Sequence, residues 1–487
     1  MARLVADPDR GGDVVVAPAT PPGVSALAVV RLTGPPGMTL EVARRIAPRL
    51  REKPRPREVA LHGLVGEDGR PLDRALVVFF PAPRSATGEE VVEFFCHGSP
   101  AIVTGLLAAA RAAGARPAAR GEFTRRALAN GKLDLAEAEG LAALARAESR
   151  GAARRALSLV EGELSRRVSA ARERTLDVLS GLEASLDFAE DVLAPDLFAS
   201  GDALEAVAAE ADELGAAAAR GGARDRRKVV AILGRPNAGK STLFNALVGR
   251  DRAIVTALPG TTRDAISEPC ELGSETVTLL DTAGLRDASE EVERIGVAVA
   301  TRAGEKADLV LYVVDSSLGA TEEDEDFLRR GRGESTLVVL TKADLLGAGA
   351  PAASAPSEDS AAAATAPARS AVPRSGHPFE EIPSPPVFSV SAVTGEGLEA
   401  LRVAIAARLG LVEADGYLLV LERHREALAS AASSLREAAE LARKGGGAPE
   451  LVAARAREAL SALGAITGET AAEELLDRIF ATFCVGK

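Results

Sequence analysis

One segment restricts this chain more than any other. An apolar run, Lys228 to Leu233, leads without a spacer into Gly234-Arg235-Pro236-Asn237-Ala238-Gly239-Lys240-Ser241, the G-x-x-x-x-G-K-S pattern of a phosphate loop. Such a loop works between a strand and a helix, because its backbone amides must converge on phosphate oxygens at the positive end of the helix that follows. The surrounding residues are therefore expected to form an open α/β sheet. Lys228 to Leu233, Thr276 to Leu280, Leu309 to Val314, Thr336 to Leu340 and Val387 to Val390 are apolar enough to be strands covered on both faces. Lys240 is placed on the outer phosphates and Ser241 on Mg²⁺, with Asn237, Ala238, Gly239 and Thr242 completing the loop.

The residues downstream supply the rest of a guanine-nucleotide site. Asp281-Thr282-Ala283-Gly284 stands at the end of a strand, where a carboxylate can hold Mg²⁺ through water and Gly284 lets the backbone approach a γ-phosphate. Thr341-Lys342-Ala343-Asp344 and Ser391-Ala392 read the base: Asp344 can accept two hydrogens from the guanine edge, a pattern adenine does not supply. Thr341 replaces the Asn usual at its position, which is expected to weaken contacts around the base and the phosphate loop. Small GTPases commonly place a water-orienting Gln just after Asp-x-x-Gly; here Leu285 stands there, and no arginine finger is evident. A bound cation is one way to supply the missing charge. Asn237 and the loop Thr256-Ala257-Leu258-Pro259-Gly260-Thr261-Thr262-Arg263-Asp264 can offer a neutral oxygen cage suited to a large monovalent ion, and Thr262 can close on Mg²⁺.

At 487 residues the chain is too long for one core. From Asp13 to about Arg120, short β-like runs (Ala26 to Leu32, Arg74 to Phe80, Val91 to Phe95) mix with an Ala-rich helical stretch, Ile102 to Ala113, in an α+β domain. Long helices follow: Leu157, Val160, Leu164, Val168, Leu179, Leu182 and Leu186 form one apolar stripe. Helices return after Leu411 with Leu428, Leu435, Leu441, Leu460 and Leu463, and Thr470 with Glu473 resembles a capping box. The simplest architecture packs the two helical segments into one bundle, with the α/β domain inserted between them. The expected boundaries are 1–131, 132–225, 226–411 with a low-complexity insert at 346–386, and 412–487. A net charge of -12 disfavours a polyanion-binding surface over the whole molecule, so nucleic acid must meet a local patch or a partner. Three scattered cysteines (Cys96, Cys270, Cys484), no apolar leader and no spanning stretch point to a cytoplasmic location and no membrane.

Taken together, these motifs resemble the MnmE (TrmE) family of tRNA-modification GTPases. Further matches are Ala17-Pro18-Ala19-Thr20-Pro21-Pro22-Gly23, Val30-Arg31-Leu32-Thr33-Gly34, Thr87-Gly88-Glu89-Glu90, Arg120-Gly121-Glu122-Phe123-Thr124, Asn130-Gly131-Lys132-Leu133-Asp134 and the ending Phe483-Cys484-Val485-Gly486-Lys487. The chain departs from the family at Val24-Ser25-Ala26 and at Cys96-His97-Gly98-Ser99. The resemblance implies an N-terminal domain that binds 5,10-methylenetetrahydrofolate or 5-formyltetrahydrofolate and forms a homodimer. It also implies an FAD-dependent partner, MnmG (GidA), in a heterotetramer that modifies carbon 5 of the wobble uridine of certain tRNAs. By the same resemblance, folate contacts fall on Arg31, Glu93, Lys132 and Lys487, and K⁺ on Asn237, Thr256, Leu258 and Thr261. Mg²⁺ falls on Ser241 and Thr262, the catalytic set includes Glu293 with Lys240 and Asp281, and Cys484 serves the uridine chemistry.

Two other classes compete. An RNA- or ribosome-assembly GTPase without covalent chemistry predicts a basic appendage after the nucleotide domain, whereas the C-terminal segment here is rich in Ala and Glu and ends in a cysteine tail. A folate-dependent methyl carrier with incidental GTPase activity predicts that modification survives loss of Asp281.

Overall fold

The computed structural model describes residues 12–187, 197–222, 228–249, 266–281, 307–330, 335–345, 386–411, 419–444 and 449–486. The chain forms two compact units, one of residues 1–147, 154–222 and 417–487, the other of 148–153 and 223–416.

The first unit begins with a six-stranded sheet in the order β3-β4-β5-β2-β1-β6. Its strands are β1 (Val15–Pro18), β2 (Ser25–Gly34), β3 (Ala60–Val65), β4 (Pro71–Phe80), β5 (Glu90–Gly98) and β6 (Arg116–Pro117). All neighbours pair antiparallel except β1 and β6. The strand period of two sends Val30, Leu32, Val77, Val92 and Phe94 to the face covered by α1 (Met38–Ile46) and α2 (Pro100–Ala112). The opposite face carries Leu61, Leu76, Phe95 and Val29 in register across four strands, and Leu61 and Leu76 are exposed. The departure at Ser25 coincides with a register irregularity of β2, and the Ser25 hydroxyl donates to the Leu27 carbonyl at 2.7 Å. Cys96 is buried, its thiol pushed up by burial and donating to the Ala28 carbonyl.

α3 (Glu122–Ala129) follows, and its buried Arg126 pairs with Asp13, Glu89 and Glu122. The bundle comprises α4 (Leu135–Arg146), α5 (Arg150–Val160), α6 (Glu163–Asp187) and α7 (Leu197–Gly222), then α11 (Glu422–Arg443), α12 (Pro449–Thr467) and α13 (Glu473–Ala481). A capping box of Asp134 and Glu137 starts α4. One core joins Leu159, Leu164, Val168, Leu182, Leu204 and Leu214 to Leu428, Leu435, Val452, Leu463 and Ile466, so both flanking segments build a single bundle. Ala431, Ala432, Ala438, Ala439 and Ala442 are buried on α11; side chains this small let neighbouring backbones approach closely.

Two helix readings need correction. The stripe from Leu157 to Leu186 is not one helix face: the chain breaks at Gly162, whose φ is 74°, and Leu157 is exposed while Leu159 takes the core position. Thr470 does not cap α13; its hydroxyl donates to the Ser461 carbonyl at 2.8 Å, and the N-cap of α13 is Ala472, which offers no side-chain cap.

A buried polar cluster ties the segment before the α/β domain to the one after it. Glu139 of α4 accepts from His424 Nε2 at 2.7 Å and Arg423 Nη2 at 2.7 Å, and Arg423 also donates to the Ala465 and Ile466 carbonyls. The Leu421 amide donates to His424 Nδ1 at 3.2 Å, so Nε2 carries the proton directed at Glu139.

The second unit holds the sheet β12-β11-β10-β7-β9-β8. Its elements are β7 (Val229–Gly234), α8 (Lys240–Val248), β8 (Ile266–Leu272), β9 (Glu275–Asp281), β10 (Leu309–Asp315), α9 (Glu322–Arg330), β11 (Thr336–Thr341), β12 (Val387–Ser389) and α10 (Leu398–Arg408). β7, β9, β10, β11 and β12 run parallel and β8 is an antiparallel edge. Val230, Ile232, Leu243 and Leu311 fill the core on one face; Ala231, Leu233, Tyr312 and Val338 fill it on the other. β8 escaped the sequence reading because Glu268, Pro269 and Glu271 break its apolar pattern, which an edge strand tolerates. Most of the low-complexity insert, 346–385, lies outside the described residues.

Burial pushes the Glu139 carboxyl up, but hydrogen bonds from His424 and Arg423 outweigh it and hold the group below its ordinary 4.5. A depressed folded-state value contributes stability above the unfolded value that is lost as pH falls through the folded one. Chemical denaturation of the wild type and Glu139→Gln should therefore converge as pH drops below 4.5, and Glu139→Ala should cost about 3 kcal/mol at pH 7 by leaving the buried His424 ring without its acceptor and Arg423 without its counter-charge.

Candidate functional site

The second unit gathers its polar residues at the carboxyl ends of the parallel strands, where open α/β sheets place ligands. β7 ends at Gly234, whose φ is 142°; a Cβ there would stand 2.3 Å from the Val313 carbonyl oxygen, so no larger residue fits. Asn237 follows with φ 62° and Gly239 with φ 92°, and Gly239 is the N-cap of α8. Lys240 is buried and folds back over the loop, its Nζ donating to the Gly234 carbonyl at 2.8 Å and the Arg235 carbonyl at 2.7 Å. Ser241 and Thr242 lie exposed on the first turn of α8, and Ala238 is buried. The loop thus presents a helix N-terminus, a lysine and a hydroxyl together, the chemistry a magnesium-bound polyphosphate requires.

Asp281 closes β9, in register with Ile232 of β7, and is 3% exposed. The neighbouring strand-end position on β10 is Asp315. Lys342 Nζ donates to its Oδ2 at 2.5 Å, and the Ser317 hydroxyl donates to its Oδ1 at 2.6 Å. Burial pushes Asp315 up, yet these bonds from Lys342 and Ser317 hold it below the usual carboxylate range. Lys342 has φ 59°, and Asp344 is exposed two residues on. The two base-side segments are joined, since the Ala343 amide donates to the Val390 carbonyl at 3.3 Å. Ser391 is buried and its hydroxyl accepts from the Thr394 amide at 3.1 Å, with Ala392 half-buried beside it.

Thr341 keeps a link to the phosphate loop. Its hydroxyl is 2.5 Å from the Ala238 carbonyl and 3.2 Å from that of Val314. One hydroxyl proton therefore serves where an amide would offer two, and its nearest acceptor belongs to the loop. Asp315 carried a signal of its own that the sequence reading passed over, a carboxylate ending a fully apolar strand with a lysine available at 342. Thr256, Leu258, Thr261, Thr262, Thr282, Ala283, Gly284 and Glu293 lie outside the described residues, as does Lys487.

In the first unit, Arg31 and Glu93 meet across β2 and β5, with Arg31 Nε donating to Glu93 Oε1 at 2.7 Å. The Arg31 guanidinium stands over the Phe123 ring, 5.7 Å from its centroid. The C-terminal tail reaches the same domain: Val485 pairs with Arg120, the Cys484 carbonyl accepts from the Gly121 amide, and a Cβ on Gly486 would stand 2.1 Å from the Pro18 carbonyl oxygen. Cys484 itself is exposed. Lys132 is exposed beside Gly88, in the connection between β4 and β5, and that connection is tied to β2 by a 2.7 Å hydrogen bond between the Thr87 and Thr33 hydroxyls. Among the described residues no group of three or more His, Cys, Asp or Glu side chains could hold a metal ion, and no helix is long and apolar enough to cross a membrane.

The loop geometry yields a prediction. Thr341→Ala should weaken GDP binding roughly five-fold, the worth of about 1 kcal/mol for one lost hydrogen bond, while Thr341→Ser retains affinity; isothermal calorimetry on the full chain checks both.

Two family models match the chain. The family described as GTP-binding protein TrmE N-terminus matches residues 14–132, and the MnmE helical domain matches residues 135–484. The tRNA modification GTPase MnmE of Halorhodospira halophila is 42% identical over 485 residues, covering 98% of this chain and 97% of that protein. Its counterpart in Phenylobacterium zucineum is 42% identical, covering 98% and 100%. The one in Thermus thermophilus is 39% identical, covering 98% and 99%. With a phosphate loop in its strand-to-helix setting, and with likeness to these proteins running nearly end to end, the chain belongs to the MnmE family of tRNA modification GTPases.

Proposed function

We propose that this GTP hydrolase of tRNA modification is a potassium-dependent switch whose nucleotide state gates chemistry at carbon 5 of a wobble uridine. The observation that carries the reading is the phosphate loop with Lys240 folded into it and Asp281 on the adjacent strand end. In this reading Lys240 neutralises charge on the outer phosphates and Ser241, Thr262 and Asp281 hold Mg²⁺, hard oxygen donors suited to that ion. Asn237, Ala238, Gly239, Thr242, Thr282, Ala283 and Gly284 surround the phosphates, and Thr341, Lys342, Asp344, Ser391 and Ala392 hold the guanine. Thr256, Leu258 and Thr261 join Asn237 as oxygen donors to K⁺, which supplies the positive charge that an arginine finger would otherwise provide. Glu293 orients the water that attacks the γ-phosphorus. Loss of the terminal phosphate then releases the segments it had ordered.

The first unit is assigned the one-carbon donor, 5,10-methylenetetrahydrofolate or 5-formyltetrahydrofolate, at Arg31, Glu93, Lys132 and Lys487. Support comes from the Arg31–Glu93 pair beside Phe123, polar groups and a ring that suit a flat heterocycle with a hydrogen-bonding edge. The tail bearing Cys484 packs on Pro18 and Gly121 of the same domain, which supports a role for that thiol near the carbon donor. The apolar row Leu61, Leu76, Phe95 and Val29 supports homodimer formation through the sheet. The FAD-dependent MnmG protein is the proposed partner in a heterotetramer, acting on cytoplasmic tRNA.

Three outcomes follow. GTP turnover should be markedly faster in potassium than in sodium buffer, and equal rates would remove the cation from the scheme. Cells lacking this gene should lose wobble-uridine modification by mass spectrometry of their tRNA; recovery by Asp281→Ala would favour the methyl-carrier alternative. Arg31→Ala should abolish folate binding in a fluorescence titration while leaving GDP affinity intact.

A further inference from the structure

We infer that Asp324, on α9, is a positioning residue that holds the phosphate loop through Arg235. The inference rests on the GTP-hydrolase reading of the same site. Arg235 is the second residue of the loop, and its Nε lies 3.1 Å from Asp324 Oδ2; Asp324 is fully buried and the Arg235 side chain is 28% exposed. The remaining capacity of the carboxylate is used. Tyr312 hydroxyl donates to Oδ1 at 2.9 Å, and the Thr321 amide and hydroxyl each donate to Oδ2 at 2.9 Å.

Each partner roots the carboxylate in a rigid part of the unit. Tyr312 lies on β10 in register with Leu233 of β7, the strand that feeds the loop, and its ring stacks on Phe327 of α9 with centroids 4.3 Å apart. Thr321 immediately precedes α9, so its bonds to Asp324, three residues on, also fix the start of that helix. A carboxylate withdrawn this far from water requires a positive partner as well as neutral donors, and that partner is the loop's own arginine.

The consequence reaches Lys240. The carbonyl of Arg235 accepts from Lys240 Nζ, as does that of Gly234. The backbone on which the lysine rests therefore belongs to a residue whose side chain is anchored to α9. At the far end of the loop the Ala238 carbonyl is held by Thr341. With both ends fixed before a ligand arrives, little ordering remains to be done when phosphates bind, and affinity for the diphosphate rises without any contact from Asp324 to the nucleotide.

The test uses calorimetry on the full chain with magnesium and potassium present, comparing GDP with guanosine. Arg235→Met and Asp324→Asn should each weaken GDP binding about ten-fold, and the double variant should be no weaker than either, because both changes remove one shared interaction. Guanosine affinity should not move, since it lacks the phosphates the loop holds. Multiplying losses in the double variant, an unchanged GDP affinity in either single variant, or an equal loss for guanosine would each overturn the proposal. Should Asp324→Asn fail to fold, Arg235→Lys decides: it keeps a cation opposite Asp324 and should recover part of the loss seen in Arg235→Met, and no recovery would count against the anchor. Failure of the wild type itself to bind GDP would overturn the nucleotide reading as a whole, an outcome distinct from loss of the anchor alone.

Discussion

The architecture depends on one packing requirement: the apolar faces of α6 and α7 are complete only when α11 and α12 pack on them. Leu164, Leu182, Leu204 and Leu214 share a core with Leu428, Leu435 and Leu463, residues separated in sequence by a whole α/β domain. Burial of this much apolar surface is the main stabilising term available to a bundle, so two distant segments are held together by it. Glu139, Arg423 and His424 add a specific polar match at the seam, since a misplaced α11 would leave a buried carboxylate without its partners. The Ala-rich composition serves the same end, because small side chains on α11 permit close helix contact.

Within the second unit, the parallel strands do for the nucleotide site what the bundle does for the first. Apolar residues on both faces of β7, β10 and β11 fix the sheet, and the strand ends then present Gly234, Asp281, Asp315 and Thr341 along one edge. Polar groups there are matched before any ligand is considered. Lys342 neutralises Asp315, Lys240 rests on loop carbonyls, and Thr341 bonds the Ala238 carbonyl. A loop arranged in this way spends little binding energy on its own reorganisation when phosphates bind.

Much of this was legible in the residues. The phosphate loop announced a strand, a tight turn and a helix, and each is present because Gly234 and Gly239 occupy backbone conformations that other residues rarely adopt. Long apolar runs such as Leu309 to Val314 could be recognised because a strand buried on both faces needs no alternation. β8 could not, since an edge strand carries weak patterning, and the break at Gly162 was hidden by leucines that kept helical spacing on both sides of it. For the same reason Leu157 looked like a core residue while Leu159 was one.

The sequence by itself determined the phosphate loop in its strand-to-helix setting, the parallel strands around it and the discontinuous bundle, because each of these follows from local spacing of glycines, charges and apolar side chains. Only the tertiary structure decided which distant groups meet. Arg31 with Glu93, Glu139 with His424, Thr341 with the Ala238 carbonyl and Arg235 with Asp324 are all pairs brought together by strand register or helix packing. No local pattern encodes such a pair, since its energy depends on burial and distance that exist only once the sheets and helices have packed.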